Sequence, residues 1–124
     1  MSETRSGYKN RGVTRMFKAG FYSYKGVVAA YRYEAAFRQE IILGLLLTPV
    51  VIWVDVTVLE RVALICAMLL VLIVELLNSG IESVVDRVGY EHHELAGRAK
   101  DMASAAVFIS LILFGVVWGG VLLF

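Results

Sequence analysis

The chain has 124 residues, enough for one domain, of which 59% are hydrophobic, with a single proline and a net charge of +1. A mean hydropathy of +0.73 excludes a small soluble globule, which could not cover so much apolar surface, and makes a membrane the natural solvent. Eight of the twelve Lys and Arg residues precede Ile41 while the acids are spread along the chain, which favours attraction to a membrane surface over nucleic-acid binding.

Residues 1–10 are polar and are expected to be flexible. From Val13 to Tyr31 apolar residues recur at threes and fours (Val13, Met16, Phe17, Gly20, Phe21, Tyr24, Val27, Val28, Tyr31), with Arg11, Arg15, Lys18, Tyr22 and Lys25 opposite them. The spacing predicts an amphipathic helix over 11–32. Its basic face and aromatic content fit a helix lying in the headgroup layer. A first span follows over 34–54. Ile41 to Val54 is an uncharged run of about 14 residues, short of the roughly 20 needed to cross a bilayer, so the span counts back to Ala35 and carries Arg38, Gln39 and Glu40 at the membrane edge. Asp55 to Arg61 is a short turn, and the second span, 57–86, begins there.

Val62 to Val74 contains no charge, yet the helix continues as Glu-Leu-Leu-Asn-Ser-Gly-Ile-Glu-Ser-Val-Val-Asp-Arg over 75–87. At 100° per residue Glu75, Asn78, Ser79, Glu82 and Asp86 share one face. A carboxylate at the end of such a run is costly unless paired, metal-bound or at a watery edge, which singles out Glu75. Cys66 reads as a small buried hydrophobe. Gly89 to Gly97 reads as a loop with a glycine at each end, and the third span runs over 98–123. Lys and Arg are concentrated before the first span and after the second, which places the amino terminus in the cytoplasm and the carboxyl terminus outside. The first apolar run lacks a cleavage-like end, so no secretory leader is expected.

This topology brings Glu34, Gln39 and Glu40, the 75–86 face, and Lys100 with Asp101 to one plane at the cytoplasmic edge. Glu75 and Glu82 lie on nearly one azimuth, about 10 Å apart along the helix, with Glu75 the deeper. Carboxylates at the wetter level suit magnesium, a deeper one can take a proton from a lipid's polar end, and a lysine can balance phosphate charge. The plainer readings are a solvated helix end for Glu82 and Asp86, interhelical hydrogen bonds for Asn78 and Ser79, and surface histidines for His92 and His93. Lys100 near a helix start is unfavourable for the dipole and calls for a local anion. Neither a P-loop nor a dinucleotide-binding glycine pattern is present.

Glu-Ala-Ala-Phe-Arg-Gln-Glu at 34–40, Glu75 to Gly89, and His93 through Asp101 with its Gly-Arg-Ala-Lys-Asp ending resemble the small integral-membrane diacylglycerol kinases of bacteria. Thr14-Arg15, Lys18-Ala19, Tyr22-Ser23, Lys25-Gly26 and Trp-Val-Asp at 53–55 extend the resemblance over nearly the whole chain. It implies an all-α membrane protein, a surface helix plus three spans assembling as a homotrimer with shared sites, in the cell inner membrane. It also implies a lipid kinase that moves the terminal phosphate of ATP to diacylglycerol and gives phosphatidic acid. By position, Glu75 would be the general base and Glu34 with Glu82 would hold magnesium. Arg15, Tyr22, Glu34, Glu82, Glu91, His92, His93, Lys100 and Asp101 would bind the nucleotide. The lipid would meet Arg15, Ser23, Tyr24, Tyr31, Gln39, Glu40, Glu75 and Ser104, and Asn78 would support the base. The chain departs from the family pattern at Tyr24 for tryptophan, Gly80 for alanine and His92 for tyrosine. Two other readings remain open: a sister kinase acting on a polyprenol such as undecaprenol, and a proton-coupled transporter or scaffold using Glu75 as a buried acid.

Overall fold

The computed structural model describes residues 12–89 and 93–124. Four helices follow one another: α1 Val13–Tyr33, α2 Ala35–Trp53, α3 Val58–Val88 and α4 Glu94–Leu123. The last three are long and apolar enough to cross a membrane. The expected flexibility of residues 1–10 falls outside the described residues.

Helix α1 starts after Gly12, whose φ of 72° is the left-handed conformation that glycine adopts at little cost. Ala30 is its one buried residue, so the aromatic face of α1 is open. The helix ends in a corner one residue long. Glu34 is extended, with φ −114° and ψ 107°, and closes α1 while opening α2. The carbonyls left over at the end of α1 are met from the next helix, where Arg38 Nη1 donates to Tyr31 O at 2.9 Å and to Arg32 O at 3.4 Å.

The far ends of α2 and α3 are tied in the same manner. Arg61 donates to Val51 O, to Ile52 O at 3.1 Å and to Val54 O at 3.1 Å, satisfying the terminal carbonyls of α2. Thr57 opens α3 with a complete capping box: its side chain accepts from Glu60 N–H at 3.1 Å, and Glu60 Oε1 accepts from Thr57 N–H at 3.1 Å. Replacing Thr57 by Ala should destabilise the folded chain by about 1 kcal/mol, read as a lower unfolding midpoint when sodium dodecyl sulfate is titrated into detergent-solubilised protein. An unchanged midpoint would mean that the cap contributes nothing.

The core lies along α3. Leu64, Ala67, Val71, Glu75 and Ser79 are buried at helical spacing, one continuous stripe that starts apolar and ends polar. α4 packs most extensively on α3, α2 less so, and α1 touches α2 and α3. Val51, Leu64, Ala67 and Trp118 form the central cluster. Trp118 stacks on Phe114 with centroids 5.0 Å apart and donates its indole N–H to Leu64 O at 3.2 Å. Where α2 meets α3, a Cβ at Gly44 would lie 3.5 Å from Met68 Cε.

Two local expectations are corrected. Cys66 is exposed, because Leu64 and Ala67 take the inward face and a residue two positions from Leu64 points away from it. The Gly89–Gly97 segment is not a loop throughout. α4 begins at Glu94, where His93 Nδ1 accepts from Leu95 N–H at 3.1 Å, and Gly97 lies inside the first turns.

Candidate active site

Glu75 is 4% exposed and is the one buried charged residue among those described. It sits where the apolar stripe of α3 gives way to hydroxyls, with Ser79 buried one turn on and Ser83 Oγ donating to Ser79 O at 2.9 Å. From α2, Glu40 reaches the same place, its carboxyl group near enough to that of Glu75 for each to act on the other. Glu82 and Glu34 are the next acids whose charges act on Glu75. Two carboxylates are both acceptors, so a contact of this kind is completed by a proton or a cation. Consistent with that requirement, Glu40 Oε2 is buried without a hydrogen-bond donor among the described residues, as is Asn78 Oδ1 one turn from Glu75.

The corner at Glu34 brings α1 over this cluster. A cleft of about 490 Å³ opens between α1 and α3, lined by Ser23, Gly26, Tyr33, Glu34, Ser79 and Ser83 among others. A second, apolar cleft of about 390 Å³ begins at Glu40 and descends between α2 and α3 past Leu47, Met68, Leu72 and Phe114. The α1–α3 cleft thus carries hydroxyls and the Glu34 carboxylate, and the apolar trough has the Glu40 carboxyl at its head. That arrangement suits an amphiphile with a small polar end.

α4 contributes Lys100. Its Nζ lies 2.7 Å from Asp86 Oδ1, three turns beyond Glu75 on α3. The resemblance to the bacterial kinases assigns nothing to Asp86. The clue to its pairing was the four-residue step from Glu82, which keeps Asp86 on the acid face. The sequence places Arg38 in a charged group at the start of α2, but its bonds to the end of α1 leave no trace there, because a bond back to an earlier helix has no sequence period.

Other candidate residues stand apart within one chain. The side chains of Arg15, Tyr22, Tyr24, Tyr31, Gln39, Asp101 and Ser104 are exposed and make no hydrogen bond to the acids among the described residues. Ser23 donates to Ala19 O at 2.8 Å while lining the α1–α3 cleft. His93 serves as the cap of α4. Glu91 and His92 lie outside the described residues.

Residues 21–122 match the family model for prokaryotic diacylglycerol kinase. The chain belongs to the prokaryotic diacylglycerol kinases. A diacylglycerol kinase of Escherichia coli strain K12 is 55% identical over 86% of this chain and 88% of its own. The diacylglycerol kinase of Haemophilus influenzae is 47% identical over 94% of this chain and 99% of its own, and that of Pseudomonas aeruginosa is 50% identical over 90% and 91%. Identity at this level extends from the surface helix through all three spans. In this family member the buried acid, the α1 corner and the Asp86–Lys100 pair therefore all fall inside the shared architecture, which is that of a multi-pass bacterial membrane enzyme.

Proposed function

We propose that this chain is a lipid kinase that transfers the terminal phosphate of ATP to the free hydroxyl of diacylglycerol, giving phosphatidic acid. Its family membership carries the reaction class. The single structural observation that supports the chemistry is the burial of Glu75 beside Glu40, which heads the apolar cleft.

A primary hydroxyl is a poor nucleophile, so the site must position it, neutralise phosphate charge and remove one proton. Glu75 is the group that takes the proton, since it is the carboxylate buried where the apolar run of α3 ends. Glu40 lies against it and, with Gln39, Ser23, Tyr24, Tyr31, Arg15 and Ser104, meets the lipid. Asn78, one turn beyond, fixes the orientation of Glu75. Lys100 contacts a phosphate oxygen, and Arg15, Tyr22, Glu91, His92, His93 and Asp101 line the nucleotide.

Glu34 and Glu82 would hold magnesium. Among the described residues no three potential ligands converge into a preformed cage. Magnesium takes one or two protein carboxylates and completes its shell with substrate phosphate and water. Glu40 and Asn78 each bring a buried side-chain oxygen near Glu75, and among the described residues neither oxygen meets a hydrogen-bond donor, which fits an oxygen-seeking cation nearby. When bound, magnesium supplies charge neutralisation at the transferring phosphate. The exposure of Arg15 and Tyr22 away from the acids supports a homotrimer in which a neighbouring subunit completes each nucleotide site. The crowding of Lys and Arg before the first span and after the second supports a cytoplasmic amino terminus and a periplasmic carboxyl terminus in the inner membrane.

The test is transfer of labelled terminal phosphate from magnesium ATP to diacylglycerol and to undecaprenol in mixed micelles. Label on diacylglycerol is the expected result. Label on the polyprenol alone would move the chain to the sister activity, and label on neither would leave transport or scaffolding to explain the buried acid.

A further inference from the structure

The Asp86–Lys100 pair is weak as a fastener. Each side chain is close to half exposed, at 45% and 44%, and ion pairs of that kind add little to stability. The α3–α4 hairpin is already held by the cluster around Leu64 and Trp118. What the pair does is place a cation. Lysine carries its charge on a flexible four-carbon stem, and a free stem spreads that charge over many positions. A carboxylate at 2.7 Å restricts it to one side, and Asp86 lies on the face of α3 that carries Glu82 and Glu75.

We propose that Asp86 is a positioning residue of the kinase, holding the Lys100 ammonium of α4 over the acid face of α3 where the phosphates of the nucleotide arrive. The inference rests on the assignment of Lys100 to a phosphate oxygen made above. Asp86 touches neither substrate; it acts through Lys100. Because the two residues sit on different helices, 14 positions apart, the pair also fixes which part of α4 faces the nucleotide.

Steady-state kinetics in mixed micelles test this with Asp86→Ala, the near-isosteric Asp86→Asn, and Lys100→Met. Asp86→Ala should lower kcat/KM for ATP about tenfold, the scale of releasing a rotamer-rich side chain, while KM for diacylglycerol stays within about twofold. Asp86→Asn, which keeps the shape and an acceptor oxygen, should lose less. On the Lys100→Met background, Asp86→Ala should add nothing. The charge exchange Asp86→Lys with Lys100→Asp separates position from pairing: it restores an ion pair between the two helices but should leave kcat/KM for ATP low. Wild-type kcat/KM in Asp86→Ala, or its recovery in the exchange variant, would overturn the proposal. An unaltered kcat/KM in Lys100→Met would overturn the phosphate assignment itself, and the positioning role with it.

Discussion

Glu75→Gln should reduce phosphoryl transfer by about 10²- to 10⁴-fold, the span attributable to a positioned general base, without loss of assembly or of ATP binding. The substitution keeps the size of the side chain and an oxygen acceptor, so the α3 stripe from Leu64 to Ser79 should pack as before. What it removes is the capacity to accept a proton from the lipid hydroxyl. Glutamine can also donate to Glu40, whose Oε2 is buried without a donor, so the variant should be no less stable than the parent. Rate, oligomeric state by light scattering in detergent, and binding of a fluorescent ATP analogue should be measured on one preparation. Full turnover in Glu75→Gln would remove Glu75 as the base. Loss of turnover together with loss of assembly would make it a structural residue instead.

Glu34→Gln and Glu82→Gln should behave differently. Each should raise the magnesium concentration for half-maximal activity by about 10- to 100-fold, the range seen when groups supporting a metal site are lost, and excess magnesium should recover part of the rate. Glu75→Gln should show no such recovery. The contrast follows from placement. Glu34 occupies the extended corner between α1 and α2, and Glu82 is half-buried two turns beyond Glu75, so both are more open than the buried Glu75 and an ion held by them can exchange with water. A magnesium titration of the three variants separates the roles, and an unchanged requirement in Glu34→Gln and Glu82→Gln would eliminate them as ligands.

The four helices were legible because their signals are local and strong. The 3.6-residue rhythm of Val13 to Tyr31 and the uncharged runs survive without any tertiary information. Glu75 stood out on energetic grounds alone, as a carboxylate following thirteen uncharged positions. The corner at Glu34 carries neither glycine nor proline, and what holds it is Arg38 bonding backwards to Tyr31 and Arg32. The start of α4 was hidden because Gly97 looked like the end of a loop, whereas the decisive feature is a single acceptor, His93 Nδ1. The Glu40–Glu75 approach and the Asp86–Lys100 pair join different helices. Periodicity assigns each of these residues a face and leaves open which neighbour it meets.

The α3–α4 hairpin makes a polar contact near each end, Lys100 on Asp86 and the Trp118 indole on the Leu64 carbonyl. The two contacts enclose roughly 33 Å of α3 and 27 Å of α4 at 1.5 Å per residue, close to the thickness of a bilayer's hydrocarbon layer, about 30 Å. The extensive packing of α4 along α3 resists sliding of one helix past the other, so a thinner or thicker bilayer is met by tilting the hairpin as one rod. Tilting changes the depth of Glu75 relative to the lipid carbonyls, which couples the height of that carboxylate to acyl-chain length in the surrounding membrane.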